Sequence, residues 1–408
     1  MTDFGDELRR LLAGRGISLS AAARAAGCSK GYLSNAANGR KPLTPRVAAG
    51  LDRLFDTGGT FATYALLASP ASTARPGVRS PHAASTPAGE PEDADKQERL
   101  GHTLAHPADA DLVAVAYLRE QIRRLDEQYD HTPAAALIAE TGQCLGQIGF
   151  LRTHAGRTDV RRDLCAAHAE AGILMGQLVW DASQRRDQAA ALTCYEQAAA
   201  AARSRADRAA EGLALLRISM VTLYGHKDPH AGLAACQHTA QVAATASNVI
   251  TGLALLHTAE AHAMLGERRS CELALAAADR QFGQISLDDP ATGLFSQAQP
   301  GRMAGSCYLF LGDPRRAASV LEQTALQFRD RSKAEAIVHG NLALALIGLS
   351  RADEAAAALH KALDVIEATW SGGGLNIVFS AVRQLSRWQQ LNTVREVSDR
   401  LLGLMAAS

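Results

Sequence analysis

Aromatic residues are scarce in this chain of 408: Phe, Trp and Tyr make up 5%, while Ala and Leu carry most of the 47% hydrophobic content. Pleated sheets draw on β-branched and aromatic side chains, so the shortage argues against strands and for helices. Paired cysteine is missing as well. Seven cysteines stand at 28, 144, 165, 194, 236, 271 and 307 with no CxxC. Such a scattered, odd set reads as reduced thiols in a cytosolic protein. Net charge is absent too, with 42 basic against 42 acidic residues, so no overall field points to nucleic acid or membrane. The opening "MTDFGDELRR" has no apolar core behind its charges and is not a signal peptide. The one long uncharged segment, residues 231–259, contains Gln237, His238, Gln241, Ser247 and Asn248. These are too polar for a hydrocarbon interior, so the segment reads as a soluble helical hairpin and no membrane partner is expected.

What the chain does have is length for two or three domains and a local excess of positive charge. Residues 1–56 hold nine Lys or Arg against five acids. Four short helical patterns fill the same stretch. The first, "FGDELRRLLAG", places Phe4, Leu8, Leu11 and Leu12 on one face and is stopped by Gly14 and Gly16. The second, "SAAARAAG", is capped by Ser18 or Ser20 and closed by Gly27. The third starts near Ser29 and ends at Asn38-Gly39. The fourth follows Thr44-Pro45, with Val47, Leu51, Leu54 and Phe55 on one face. Residues 69–96 are rich in Pro, Ser, Ala and Gly and cannot bury a core, so residues 68–105 are expected to form a flexible linker. The expected division is a domain over 1–67, that linker, and a second domain over 106–408.

The second and third helices carry a helix-turn-helix pattern. Ala23 is a small residue where one helix crosses another, Gly27 suits a left-handed turn, and Leu33 anchors the second helix. With Leu33 buried, Lys30, Ser34 and Asn35 fall on the exposed face, Ser29 caps the helix, and Arg40-Lys41 follow where a phosphate backbone would pass. The segment strongly resembles the Xre-type domain of phage repressors and bacterial regulators, with "GYLSNAANGRKPLTP" similar to the third helix and its exit. That resemblance implies double-stranded DNA as partner. Lys30, Ser34 and Asn35 would read bases, with Lys30 reaching guanine or phosphate and Asn35 suited to adenine N6/N7. Arg24, Ser29, Tyr32, Asn38, Arg40 and Lys41 would hold the backbone. Gly31 stands where relatives often carry a reader. A domain this small contacts few base pairs, so a homodimer on an inverted-repeat operator is expected.

From residue 109 onward, helices recur at a regular interval. "AEAHAMLGERRSCELALAAA", "YLFLGDPRRAASVLEQTA" and "LALALIGLSRADEAAAALHKAL" share one grammar: a helix ending at Leu or Met plus Gly or its equivalent, a charged turn, then a second helix opening on a small residue. That residue recurs at Cys271, Ala317 and Ala355, as expected of an α-solenoid of about seven helix pairs. The spacing resembles tetratricopeptide repeats through Ala259, Cys271, Leu275 and Ala278; Gly305, Ala317, Leu321 and Thr324; and Ala343, Ala355, Leu359 and Ala362. The likeness implies a concave surface lined by Trp180, Tyr224, Glu260, Gln299, Arg302, Ser306, Phe310 and Leu344, able to bind a peptide, small molecule or partner protein. The layout as a whole is similar to the peptide-responsive regulators of the RRNPP group and, more closely, to actinobacterial regulators of this build.

No enzyme is expected. In "HTAEAH", His257 and His262 are five apart, about 140° around a helix, and so are badly placed to share a metal ion with Glu260. "SGGGL" at 371–375 lacks the ending of a phosphate-binding loop and reads as a hinge before the last helix pair. No metal or cofactor is implied. The sequence thus predicts an all-α, cytoplasmic, dimeric DNA-binding transcriptional regulator with a ligand-sensing solenoid. The alternative is a scaffold whose solenoid binds proteins and whose N-terminal domain is a protein-contact module.

Overall fold

The computed structural model describes residues 4–38, 41, 43–55, 57, 61 and 91–407, and it divides into two compact units between Glu98 and Arg99. Among the described residues every regular element is helical.

In the first unit, α1 (Phe4–Arg15), α2 (Leu19–Ala25), α3 (Lys30–Ala37) and α4 (Pro45–Phe55) follow the four expected patterns. Ser18 and Ser29 each cap the helix that follows, their hydroxyls accepting the N–H of Ala21 at 3.2 Å and of Tyr32 at 3.1 Å. The core is made by Phe4, Leu8, Leu33, Val47, Leu51 and Phe55. Phe61 completes it, fully buried and edge-on to Phe4 at 5.7 Å between ring centroids. Arg15 does not serve the basic surface. Its guanidinium donates to the carbonyls of Leu54 and Phe55 at 3.1 and 2.6 Å, closing the C-terminus of α4.

Two glycines shape this unit. Gly27, at φ +69°, makes the left-handed turn between α2 and α3. Gly50 lets α4 lie directly on the end of α2, where a Cβ would stand 2.6 Å from the Cα of Ala26. Backbone cannot step aside as a side chain can, so Gly50→Ala is expected to cost about 1–3 kcal/mol. Thermal unfolding of residues 1–67 checks this, with Gly14→Ala, which meets nothing within 4 Å, as the harmless control.

Helix α5 (Pro91–Ala105) runs across the division, and from Arg99 onward it belongs to the second unit. It overturns part of the linker expectation. Residues 91–105 are helical, Leu100 and Thr103 are buried, and Arg99 pairs with Asp111, while residues 68–90 of the expected linker lie outside the described residues. The apolar spacing of Leu100 and Leu104 behind an acidic first turn was hidden by the Pro-rich run before it.

Fourteen helices follow as seven antiparallel pairs: α6 (Leu112–Gln128) with α7 (Ala134–His154), α8 (Thr158–Ala182) with α9 (Gln188–Ser204), α10 (Arg208–Met220) with α11 (Pro229–Ala243), α12 (Asn248–Met264) with α13 (Arg268–Phe282), α14 (Ala298–Phe310) with α15 (Pro314–Ala325), α16 (Lys333–Gly348) with α17 (Ala352–Thr369), and α18 (Gly372–Leu385) with α19 (Asn392–Ala407). Even-numbered helices pack on one another along the inner side, as expected of a solenoid. The uncharged segment 231–259 is the antiparallel contact of α11 with α12, and among the described residues no helix is long and apolar enough to cross a membrane. The turns follow the expected grammar. Gly266, Gly312 and Ser350 sit at φ +77°, +69° and +60°, so Ser350 adopts the left-handed turn in the place of glycine. The small residues close the pairs, with Ala259, Cys271, Ala317, Ala343, Ala355 and Ala362 all fully buried and Gly305 lying against Leu321.

The array also curls far enough for distant pairs to meet. Lys333 N–H donates to the carbonyl of Asp130 at 3.0 Å, and the carbonyl of Arg331 lies 2.7 Å from His131 Nδ1. The start of α18 reaches the end of α8, where Gly372 N–H donates to Asp181 Oδ1 at 2.8 Å and the Asn376 amide to the carbonyl of Gln184 at 3.1 Å. This corrects the hinge reading of "SGGGL". Ser371 caps α18 and Gly372–Gly374 are its buried first turn. Their lack of side chains serves close approach: a Cβ on Gly372 would stand 2.5 Å from the Asp181 carbonyl, and one on Gly374 2.9 Å from Ala336.

Candidate nucleic-acid interface and solenoid interior

Helix α3 owes its position to three residues that point away from solvent. Leu33 is fully buried, and Ala36 and Ala37 lie flat against the core, so the opposite face must be exposed. That face carries Gly31, Ser34, Asn35 and Asn38, with Lys30 at its start. Lys30 and Asn35 have no internal partner among the described residues, which leaves their donors and acceptors available. Gly31 sits at the middle of the face, where a Cβ would meet nothing within 4 Å, so no other side chain covers the backbone there. Arg24 on α2 and Lys41 beyond α3 are also exposed and unpaired among the described residues, whereas Arg10 is tied to Glu7 at 2.5 Å.

Residues 3–61 match the family model of a helix-turn-helix domain. The match spans α1 to α4 and Phe61, and it supports a DNA-binding regulator. A search of curated proteins found no match to the chain.

Within the helix-turn-helix domain, Ala23, Gly27 and Leu33 occupy the places expected of them: a buried helix crossing, a positive-φ turn and the anchor of α3. Tyr32 departs from a purely surface role. It is half-buried, and its hydroxyl oxygen accepts the N–H of Thr44 at 3.0 Å, tying α3 to the entry of α4. Ser29 is engaged as the cap of α3, so the hydroxyl aids DNA only through its remaining lone pair and proton. Arg40 lies outside the described residues.

The residues expected on the concave surface of the solenoid fall into two groups. Tyr224, Glu260, Ser306, Arg302 and Trp180 converge. α10 runs on through a π-turn, Val221–Gly225, which carries Tyr224 inward. The Tyr224 hydroxyl lies 2.6 Å from His257 Nδ1 and donates to Glu260, and Ser306 donates to the other oxygen of that carboxylate. Glu260 is thus held by neutral hydroxyls inside the protein, only 4% exposed. His257 is buried beside it, and burial together with the positive charges of Arg302, Arg217 and Arg185 lowers its pKa to about 3, so the ring is neutral. His262 points elsewhere, to Glu267 at 2.6 Å, and the two histidines of "HTAEAH" share no partner. Trp180 is buried under the guanidinium of Arg185, which stands 4.9 Å from its ring and 5.8 Å from that of Tyr224. Phe310 stays apart from this cluster, exposed at the end of α14, and Gln299 is half-buried one turn before Arg302.

Sequence reasoning missed the residues that give the interior its charge. Arg185 sits in a turn and Arg217 on α10, where single arginines look like solvated surface. Lys333 and Asp181 form a buried pair at 2.9 Å, and Lys333 lies 3.8 Å over the ring of Tyr129. Their 152-residue separation leaves no local pattern to find.

Proposed function

We propose that the chain is a sequence-specific transcriptional regulator of the Xre type, whose solenoid senses a peptide, small molecule or partner protein and joins two copies into a dimer. The observation that carries the reading is α3: a helix anchored by Leu33 that presents unpartnered Lys30 and Asn35 on the open face of a helix-turn-helix domain. Lys30, Ser34 and Asn35 would enter the major groove and read base edges, while Arg24, Asn38, Arg40 and Lys41 hold the phosphates. Because Gly31 adds no side chain at the centre of the face, the helix backbone can approach the base pairs closely. The small-residue spacing of the later helix pairs supports the tetratricopeptide likeness, and the inward cluster around Glu260 supports a sensing role for the concave surface. In this reading the protein works by binding and not by catalysis, in the cytoplasm where its operator lies. A ligand that favours one curvature of the solenoid shifts the spacing of the two DNA-binding heads, and operator affinity follows.

The test is enrichment of genomic DNA fragments by the purified protein, beside the Asn35→Ala variant. The expected result is a small set of inverted repeats that the variant fails to enrich. Uniform weak retention that disappears with added salt would leave only backbone attraction and sink the reading.

A further inference from the structure

The solenoid interior gathers three guanidiniums around one buried histidine. Arg185, Arg217 and Arg302 come from three separate elements, the turn after α8, then α10 and α14, and all three act on His257 of α12. None of the three makes an ion pair with a carboxylate among the described residues. Arginines on the outer faces do: Arg316 with Glu272, Arg203 with Glu211, Arg400 with Asp364. Of the carboxylates nearby, Glu260 is held by Tyr224 and Ser306, Asp181 by Lys333 and Gly372 N–H, and Asp126 acts on Arg217 without pairing with it. Asp130 contributes to the field at Arg302 but is exposed and does not pair with it.

Gathering three guanidiniums costs free energy through mutual repulsion and lost hydration. Burial and Arg185 both act to lower the pKa of Arg302, against the attraction of Tyr224, Glu260 and Asp130. Two further donors add to the count. Trp180 is 5% exposed and its indole N–H has no acceptor, and Arg217 Nε is buried without one. Yet the site is not sealed. Arg185, Arg217, Arg302 and Tyr224 each keep a solvent-accessible face while protein surrounds them, as befits the floor of a concavity.

We infer that this floor is the binding site for a ligand bearing an oxyanion, a carboxylate or a phosphate, taken up between Arg185, Arg217 and Arg302. The inference rests on the reading of the solenoid as the sensing part. Planar guanidinium forks match the two oxygens of either group, and the incoming charge relieves the repulsion among them. The carboxylate of a peptide C-terminus and the phosphate of a small metabolite share this chemistry.

Full-length protein is titrated at constant ionic strength with inorganic phosphate, and with pentaalanine as free acid or C-terminal amide, while tryptophan fluorescence and thermal unfolding are followed. Saturable binding of phosphate, or of the free acid over the amide, is expected, and the preferred probe tells the two sources apart. Arg302→Gln should weaken it about ten- to a hundredfold, and Arg302→Lys less. Without probe, Arg302→Gln should unfold at an equal or higher temperature than the parent, because an unpaired like charge is removed. A lower unfolding temperature would mark a structural arginine and overturn the site. So would the absence of saturable binding, or equal binding by Arg302→Gln and Arg217→Gln. DNA affinity is measured in parallel: saturable anion binding with unchanged DNA affinity supports the site and removes its regulatory role.

Discussion

Asn35→Ala is expected to lower affinity for the operator by about 1–3 kcal/mol per bound copy while leaving affinity for unrelated DNA unchanged. Asn35 is half-exposed on the open face of α3, and its side chain has no partner among the described residues, so truncation removes no contact seen there. Lys41→Ala is the contrasting change. An exposed lysine beyond the helix touches phosphates alone, so it should weaken binding to every sequence alike and reduce the salt slope by about one unit. Equilibrium binding to operator and scrambled duplexes over a range of salt separates the two patterns. If Asn35→Ala lowers both affinities equally, α3 does not read bases through this residue.

The second large effect concerns the closure of the solenoid. Asp181 is 4% exposed and serves two elements at once: it pairs with Lys333 at 2.9 Å and accepts the first free N–H of α18 from Gly372 at 2.8 Å. Asp181→Ala would leave a buried ammonium without a counter-charge and a helix N-terminus without its acceptor. The expected cost is about 3–5 kcal/mol, or roughly 5–8 °C in melting temperature at about 2.1 cal/mol/K per residue. Lys333→Met should cost less, since Asp181 keeps the Gly372 N–H on one oxygen and a thioether chain fills the place beside Tyr129, although the carboxylate loses its counter-charge. Combining the two substitutions should recover part of the loss, because the stranded charge is then gone. A melting temperature within 1–2 °C of the parent for Asp181→Ala would mean that the ends of the array are held by other contacts.

How far the chain could be read in advance depended on whether a feature was local. Leu33, Gly27 and Ser29 lie within seven residues of one another, and burial, turn geometry and capping each leave a residue-type signature at such spacing. The solenoid was legible for the same reason: Cys271, Ala317 and Ala355 recur because each pair repeats the same close crossing, which only small residues permit. Contacts between distant pairs left no such trace. Gly372–Gly374 have the composition of a hinge, and only the approach of α8 nearly two hundred residues earlier shows them to be a tightly packed helix start. Arg185 and Arg217 are single cations in stretches that otherwise look solvated, and curvature alone brings them together. Phe61 was passed over because it stands outside any periodic run, and α5 because the Pro-rich stretch before it hides its short apolar pattern. Within the inward set, Trp180, Tyr224, Glu260, Arg302 and Ser306 converge as one cluster while Phe310 faces solvent, since an inner helix turns its last residues past the concave face.

A regulator of this kind requires an N-terminal domain that distinguishes one DNA sequence from another. The deciding measurement is the ratio of affinities for the enriched inverted repeat and for a scrambled duplex of equal length, taken by fluorescence anisotropy from 50 to 300 mM salt. A ratio that stays at about 10³ or more while both affinities fall is the predicted result. A ratio near one at every salt concentration would contradict it, and would leave the basic face of the domain as a surface for something other than base recognition.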